Sequence, residues 1–169
     1  MLNIIQKPTP NFRKGRSGMK PVGIVIHVME GTLLGTDAWF AKIESQVSAH
    51  YGVGKKGAVH QYVREEDTAC HVGVVDRPAW PLLQRKTNGK PINPNLYTVG
   101  IEHEGHDGER FTDAQYQASA ALIRDICTRW QIPIDELHIV PHHAIRASKP
   151  CPGSGVDIAK LIAMAKVGK

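Results

Sequence analysis

The stretch that most constrains this chain is Val22-Gly23-Ile24-Val25-Ile26-His27-Val28. A short, near-continuous run of β-branched residues reads as a strand buried on both faces. His27 stands at its C-terminal end, the edge where open α/β sheets gather ligands. A histidine satisfied inside the core is the ordinary alternative reading of such a residue.

The rest of the chain supplies what would cover that strand. Thr36 can cap a helix running to about residue 47, with Trp39, Phe40, Ile43 and Val47 as its apolar stripe. Residues 48–54 and 58–63 read as a hairpin turned at Lys55-Lys56-Gly57. Residues 75–96 hold Pro78, Pro81, Gly89, Pro91 and Pro94, and predict a long loop, expected as a binding wall. In the strand at 97–105, Val99, Ile101 and His103 alternate with Glu102 and Glu104, so the two carboxylates share a face. Thr112 with Gln115 makes a capping box, opening a helix whose stripe is Tyr116, Ala120, Ile123, Cys127 and Trp130. Pro133 is expected to end it. A short strand at 137–140 and an amphipathic helix at 156–165 close the chain. The order implies an α/β fold: a central mixed β-sheet flanked by helices. The 169 residues form one domain, with an irregular basic segment at 1–21 and a catalytic core at 22–169.

Composition narrows the partners. A net charge of +5 favours a polyanion, such as nucleic acid, an anionic membrane or a bacterial wall. Lys7, Arg13, Lys14, Arg16 and Lys20 cluster near the start and read as a solvated arm. Aromatic residues are only 6% of the chain and do not interleave with the basic ones, which argues against nucleic acid. No apolar run approaches the roughly 20 residues that span a bilayer. Met1-Leu2-Asn3-Ile4-Ile5 lacks the features of a secretory signal, so synthesis in the cytoplasm is expected. Cys70, Cys127 and Cys151 are odd in number and irregular in spacing, which argues against a disulfide framework.

The chemistry concentrates in Pro141-His142-His143-Ala144-Ile145-Arg146-Ala147-Ser148-Lys149-Pro150-Cys151-Pro152-Gly153. Prolines and a glycine keep this stretch from regular helix while it carries imidazole, ammonium and thiol. His27, one histidine of this loop and Cys151 make the three ligands a catalytic zinc requires, with a fourth position open. Such a metal lowers the pKa of its water towards about 7. Glu102 would be the general base and then return the proton to the leaving amine. Lys149 would face the developing oxyanion.

These residues resemble the zinc-dependent N-acetylmuramoyl-L-alanine amidases of the amidase-2 type, which share a fold with peptidoglycan recognition proteins. The resemblance rests on Ile24-Val25-Ile26-His27, Ser48-Ala49-His50, Gln61-Tyr62-Val63, His71-Val72-Gly73, Gly100-Ile101-Glu102 and the closing His142, Ile145 and Lys149-Pro150-Cys151-Pro152. It implies a peptidoglycan-recognition-protein-like fold and a metal set of His27, His142 and Cys151. Ile145, three residues after His142, favours His142 over His143. It further implies Glu102 and Lys149 as catalytic groups, and His50 and His71 beside the substrate. The partner is peptidoglycan, no membrane span is involved, and a monomer is expected. Within that family the chain is similar to phage-type endolysins, which act on the wall after release. A cytosolic muropeptide-recycling enzyme and a wall-binding module are the alternatives. A cysteine hydrolase using Cys151 with His142 or His143 is a further reading of the same loop.

Overall fold

The computed structural model describes residues 2–167. Met1, Gly168 and Lys169 of the expected domain lie outside the described residues. The strands are β1 (Ile4–Gln6), β2 (Phe12–Arg13), β3 (Gly23–Val28), β4 (Tyr51–Val53), β5 (Val59–Gln61), β6 (Thr68–Ala69), β7 (Thr98–His103) and β8 (Ile139–Pro141). The helices are α1 (Leu33–Phe40), α2 (Asp113–Trp130) and α3 (Ile158–Val167).

Six strands form the central mixed sheet in the order β1-β5-β4-β7-β3-β8, and β2 pairs with β6 apart from it. The β4–β5 hairpin is antiparallel, while β4, β7, β3 and β8 run parallel. Every residue of β3 is buried, as the opening run demands. Its alternate side chains feed two cores. Ile24 and Ile26 join Val99, Ile101, Leu122, Ile123, Ile126 and Leu161 beneath α2 and α3. Val25 joins Trp80, Tyr97, Val140 and Ile145 on the other face.

The capping box of α2 forms as the sequence predicts, with Thr112 and Gln115 each satisfying the other's backbone. The helix ends when Gln131 turns left-handed at φ 56°, two residues before Pro133. Proline bars its predecessor from helical geometry, so the chain turns early.

Three expectations need correction. The loop at 75–96 is chiefly a lid on the second core, and it reaches the cleft through Asn95. Trp80 stacks on Tyr97 at 5.8 Å and its indole N–H donates to the Leu137 carbonyl at 2.8 Å. Leu82, Leu83 and Ile92 pack into the same cluster, so this loop does on one face what α2 and α3 do on the other.

Helix α1 starts earlier and stops sooner than its sequence suggested. Thr32 caps it by accepting from the Gly35 N–H, and Leu33, Thr36 and Phe40 form the buried stripe. That i, i+3, i+7 spacing leaves Trp39, Ile43 and Val47 exposed at 50%, 65% and 39%.

The opening segment is neither irregular throughout nor a solvated arm. It contributes β1 and β2, and Arg16 is buried at 4% exposure. The Arg16 guanidinium donates to the carbonyls of Glu65, Asn95, Leu96 and Thr98, using the fork of donors that only arginine carries. Burial lowers its pKa to about 10, against the attraction of Glu65 and Asp67, so it stays charged at neutral pH. Asn11 and Thr9 bind the Phe40 carbonyl and hold the end of α1. Lys7, Arg13, Lys14 and Lys20 do remain exposed.

Candidate active site

Because β3, β7 and β8 are parallel, their C-terminal ends meet at one edge of the sheet. There β3 delivers His27, β7 delivers Glu102, and the turn after β8 delivers His142. His27 and Glu102 are register partners on the same face. A cleft of about 690 Å³ opens over them, lined also by Thr36, Trp39, Cys70, His71, Asn95, Arg146, Lys149 and Cys151.

Ligand atoms of His27, His142 and Cys151 lie within 4.8 Å of one another. The His27 and His142 Nδ1 atoms are 3.1 Å apart. His142 Nε2 sits 2.9 Å from the Val72 carbonyl, which can only accept, so the ring proton is on Nε2 and Nδ1 is bare. His27 has its Nε2 3.0 Å from His71 Nδ1 and also turns Nδ1 to the cleft. Burial, then the nearness of His142 and His71, holds the His27 pKa well below its usual range. Burial likewise lowers His142, against the Val72 carbonyl. At that distance the two nitrogens either share a ring proton of His27 or give both lone pairs to one cation. Two ligands of one tetrahedral zinc stand about 3.3 Å apart, given Zn–N bonds of about 2.0–2.1 Å. The donor set therefore fits zinc.

Burial pushes the Cys151 thiol up to about 12, with Glu102 adding to the effect and the Val28 N–H, 3.2 Å from Sγ, opposing it. A nucleophilic cysteine needs the opposite environment, which counts against the cysteine-hydrolase reading. A metal cation would deprotonate the same thiol outright.

Glu102 has one oxygen 4.0 Å from His27 Nδ1 and the other buried without a hydrogen-bond partner among the described residues. Burial raises its pKa to about 8, helped by the charge of Glu30. Lys149 is exposed on the rim of the cleft. Glu104 is not in the cleft; β7 ends at His103, and a Glu104 oxygen accepts from the Lys55 N–H. His143 is exposed and outside the cleft lining, with its backbone N–H on the Cys151 carbonyl.

His50 corrects an expectation. It is fully buried beneath the site and not in the cleft lining. Its Nδ1 accepts from the Gly100 N–H and its Nε2 contacts Arg16 and the Asp67 carbonyl, so no ring atom is left for a substrate. His71 does reach the cleft floor, but both its nitrogens are engaged. Sequence reasoning missed Arg146, Trp39, Cys70 and Asn95 as lining residues. Arg146 carried a signal, four residues past His142 in the functional loop; Trp39 was assigned to the core by its apparent helical stripe.

Comparison with known proteins agrees with this geometry. The family model for N-acetylmuramoyl-L-alanine amidase, Amidase_2, matches residues 17–154. N-acetylmuramoyl-L-alanine amidase A of Achromobacter lyticus is 32% identical over 81% of this chain and 73% of its own length. The chain spans 42% to 64% of the length of the 1,6-anhydro-N-acetylmuramyl-L-alanine amidases among its curated relatives. A crystal structure of an AmpD derivative superposes with TM-score 0.76 at 26% identity, covering 97% of this chain and 98% of that one. AmiD of E. coli, in complex with the substrate anhydro-N-acetylmuramic acid-L-Ala-D-γ-Glu-L-Lys, gives 0.69 at 26% identity, covering 85% of this chain and 57% of AmiD. A match over that extent, with the sheet edge described above, makes this chain a member of the Amidase_2 family of N-acetylmuramoyl-L-alanine amidases.

Proposed function

We propose that the chain hydrolyses the amide between N-acetylmuramic acid and L-alanine in peptidoglycan, as a single zinc-dependent domain. His27, His142 and Cys151 would hold the ion. The observation that carries this reading is the convergence of two imidazole nitrogens and a thiol within 4.8 Å of one another, beside a buried carboxyl. A zinc ion there supplies Lewis acidity toward the scissile carbonyl and toward water.

This chain's own residues handle position and protons. Glu102 takes a proton from water through the oxygen nearest His27 and hands it to the departing L-alanine nitrogen. Its burial keeps the carboxyl able to hold a proton near neutrality, while a cation at the histidines draws it back toward the charged form. Lys149, on the rim, brings positive charge to the oxygen that becomes negative. Trp39 and Val47 give the cleft an apolar outer wall against which substrate can exclude water. The test is turnover of a muramoyl-peptide with and without a zinc chelator, with products weighed by mass spectrometry. Chelator-sensitive release of a peptide with a free L-alanine amine supports the reading; a binding module would retain the substrate uncut.

Two substrate forms are compatible with one cleft. Exposed Lys7, Arg13, Lys14 and Lys20 and the net charge of +5 favour intact wall, and with it a lytic, endolysin-type role after release from the cytoplasm. The likeness to AmiD, solved with an anhydro-muropeptide, favours a soluble recycling substrate. Rates on whole sacculi against soluble anhydro-muropeptide separate them.

A further inference from the structure

Thr98 opens β7 and is fully buried. Its hydroxyl has a single proton, which goes to the Pro94 carbonyl at 2.8 Å. The same oxygen lies 3.2 Å from His71 Nε2. With its proton spent, Thr98 can only accept there, so His71 is protonated on Nε2. A neutral imidazole then has a bare Nδ1, and that atom faces His27 Nε2 at 3.0 Å. His27 must donate, which leaves its own lone pair on Nδ1, turned toward His142 and Cys151.

We propose that Pro94, Thr98 and His71 form a relay of positioning residues that fixes the tautomer of His27 and so presets the metal site. This rests on the zinc reading above and extends it to residues outside the metal-ligand set.

The relay is braced sterically. A Cβ on Gly100 would lie 2.6 Å from His71 Cγ and Nδ1, so the ring is seated directly on that backbone. The Asn95 side-chain oxygen accepts the N–H groups of His71 and Val72, which sets the segment carrying the ring. The ring therefore has one orientation, and the tautomer follows from the fixed carbonyl of Pro94. Without that bias, a share of His27 would carry its proton on Nδ1 and oppose a cation. Loss of such outer partners typically weakens metal binding by about 10- to 100-fold.

The experiment compares wild type, Thr98→Val and Thr98→Ser. Zinc affinity is measured by competition with a chromophoric chelator, and the His27 tautomer by nitrogen NMR of the metal-free proteins. Metal-free wild type should show His27 protonated on Nε2. Thr98→Val, similar in shape but without a hydroxyl, should mix tautomers and bind zinc about 10- to 100-fold more weakly; Thr98→Ser should stay near wild type. Unchanged tautomer and affinity in Thr98→Val would overturn the relay, as would a wild-type His27 protonated on Nδ1, a result that stands even if the variants fail to fold. If wild type binds no zinc, the metal reading fails by itself, and the tautomer measurement still decides the relay.

Discussion

His27 and Glu102 are opposite one another in register on adjacent parallel strands, and their side chains leave the same face with Nδ1 and Oε1 4.0 Å apart. A parallel pair holds that spacing through backbone hydrogen bonds, so the imidazole and the carboxyl keep their relation without a direct bond. The gap is too long for a strong hydrogen bond and leaves the carboxyl free to serve a water or a leaving amine.

Glu102→Gln should therefore keep its zinc and lose roughly 100- to 10,000-fold in kcat, the usual contribution of a positioned acid/base. Glu104→Gln should change kcat little, since Glu104 caps a backbone N–H outside the cleft. Zinc stoichiometry and turnover measured side by side decide the matter. A dead Glu104→Gln enzyme, or loss of metal from Glu102→Gln, contradicts the assignment.

His142→Ala should lose zinc while His143→Ala retains it, because only His142 turns a bare nitrogen to His27. Cys151→Ser should also bind zinc weakly, a neutral hydroxyl replacing a thiolate. Metal content after dialysis reads all three variants. Retention by His142→Ala would shift the site by one residue.

Acid should unfold the metal-free protein readily. Burial lowers His50 to about 3 and His103 to about 4. In the unfolded chain both take up protons near pH 6.5, so their stabilisation is complete above that pH and drains away below it. Each costs about 1.4 kcal/mol per pH unit across the window from about 6.5 to 4.5. Glu102, held protonated up to about 8, acts with opposite sign over the same window and offsets one of them. A net loss of at least roughly 1.4 kcal/mol per unit is expected, read from urea unfolding at pH 6.5, 5.5 and 4.5. A flat profile would show that these histidines are not held neutral.

Gly100→Ala should displace His71, since the new methyl would lie 2.6 Å from its Cγ and Nδ1. Overpacking of this kind costs typically about 1–3 kcal/mol. A melting temperature equal to wild type in the metal-free variant would mean the ring moves freely.

How much of this was legible in the sequence depends on the kind of contact. Periodicity revealed β3 and α2, because burial on both faces and a capping box leave local marks. The order of motifs brought His27, Glu102, His142 and Cys151 to one place. Arg16 was misjudged because a guanidinium serving four distant carbonyls looks like any surface arginine in sequence. His50 was misjudged because its partners, Arg16 and the Gly100 N–H, are 34 and 50 residues away. Trp39 was placed in the core because apolar spacing alone cannot say which of two registers a short helix buries.

The central claim is a zinc-dependent cut at the muramoyl–L-alanine bond. The most direct measurement follows purified protein, with its metal counted, acting on a defined muramoyl-pentapeptide. The account predicts one zinc per chain and products consisting of the free muramoyl sugar and a peptide with a new L-alanine amine. It also predicts that activity lost to a chelator returns with zinc. Cleavage elsewhere in the stem, or full activity in the chelated protein, would contradict it.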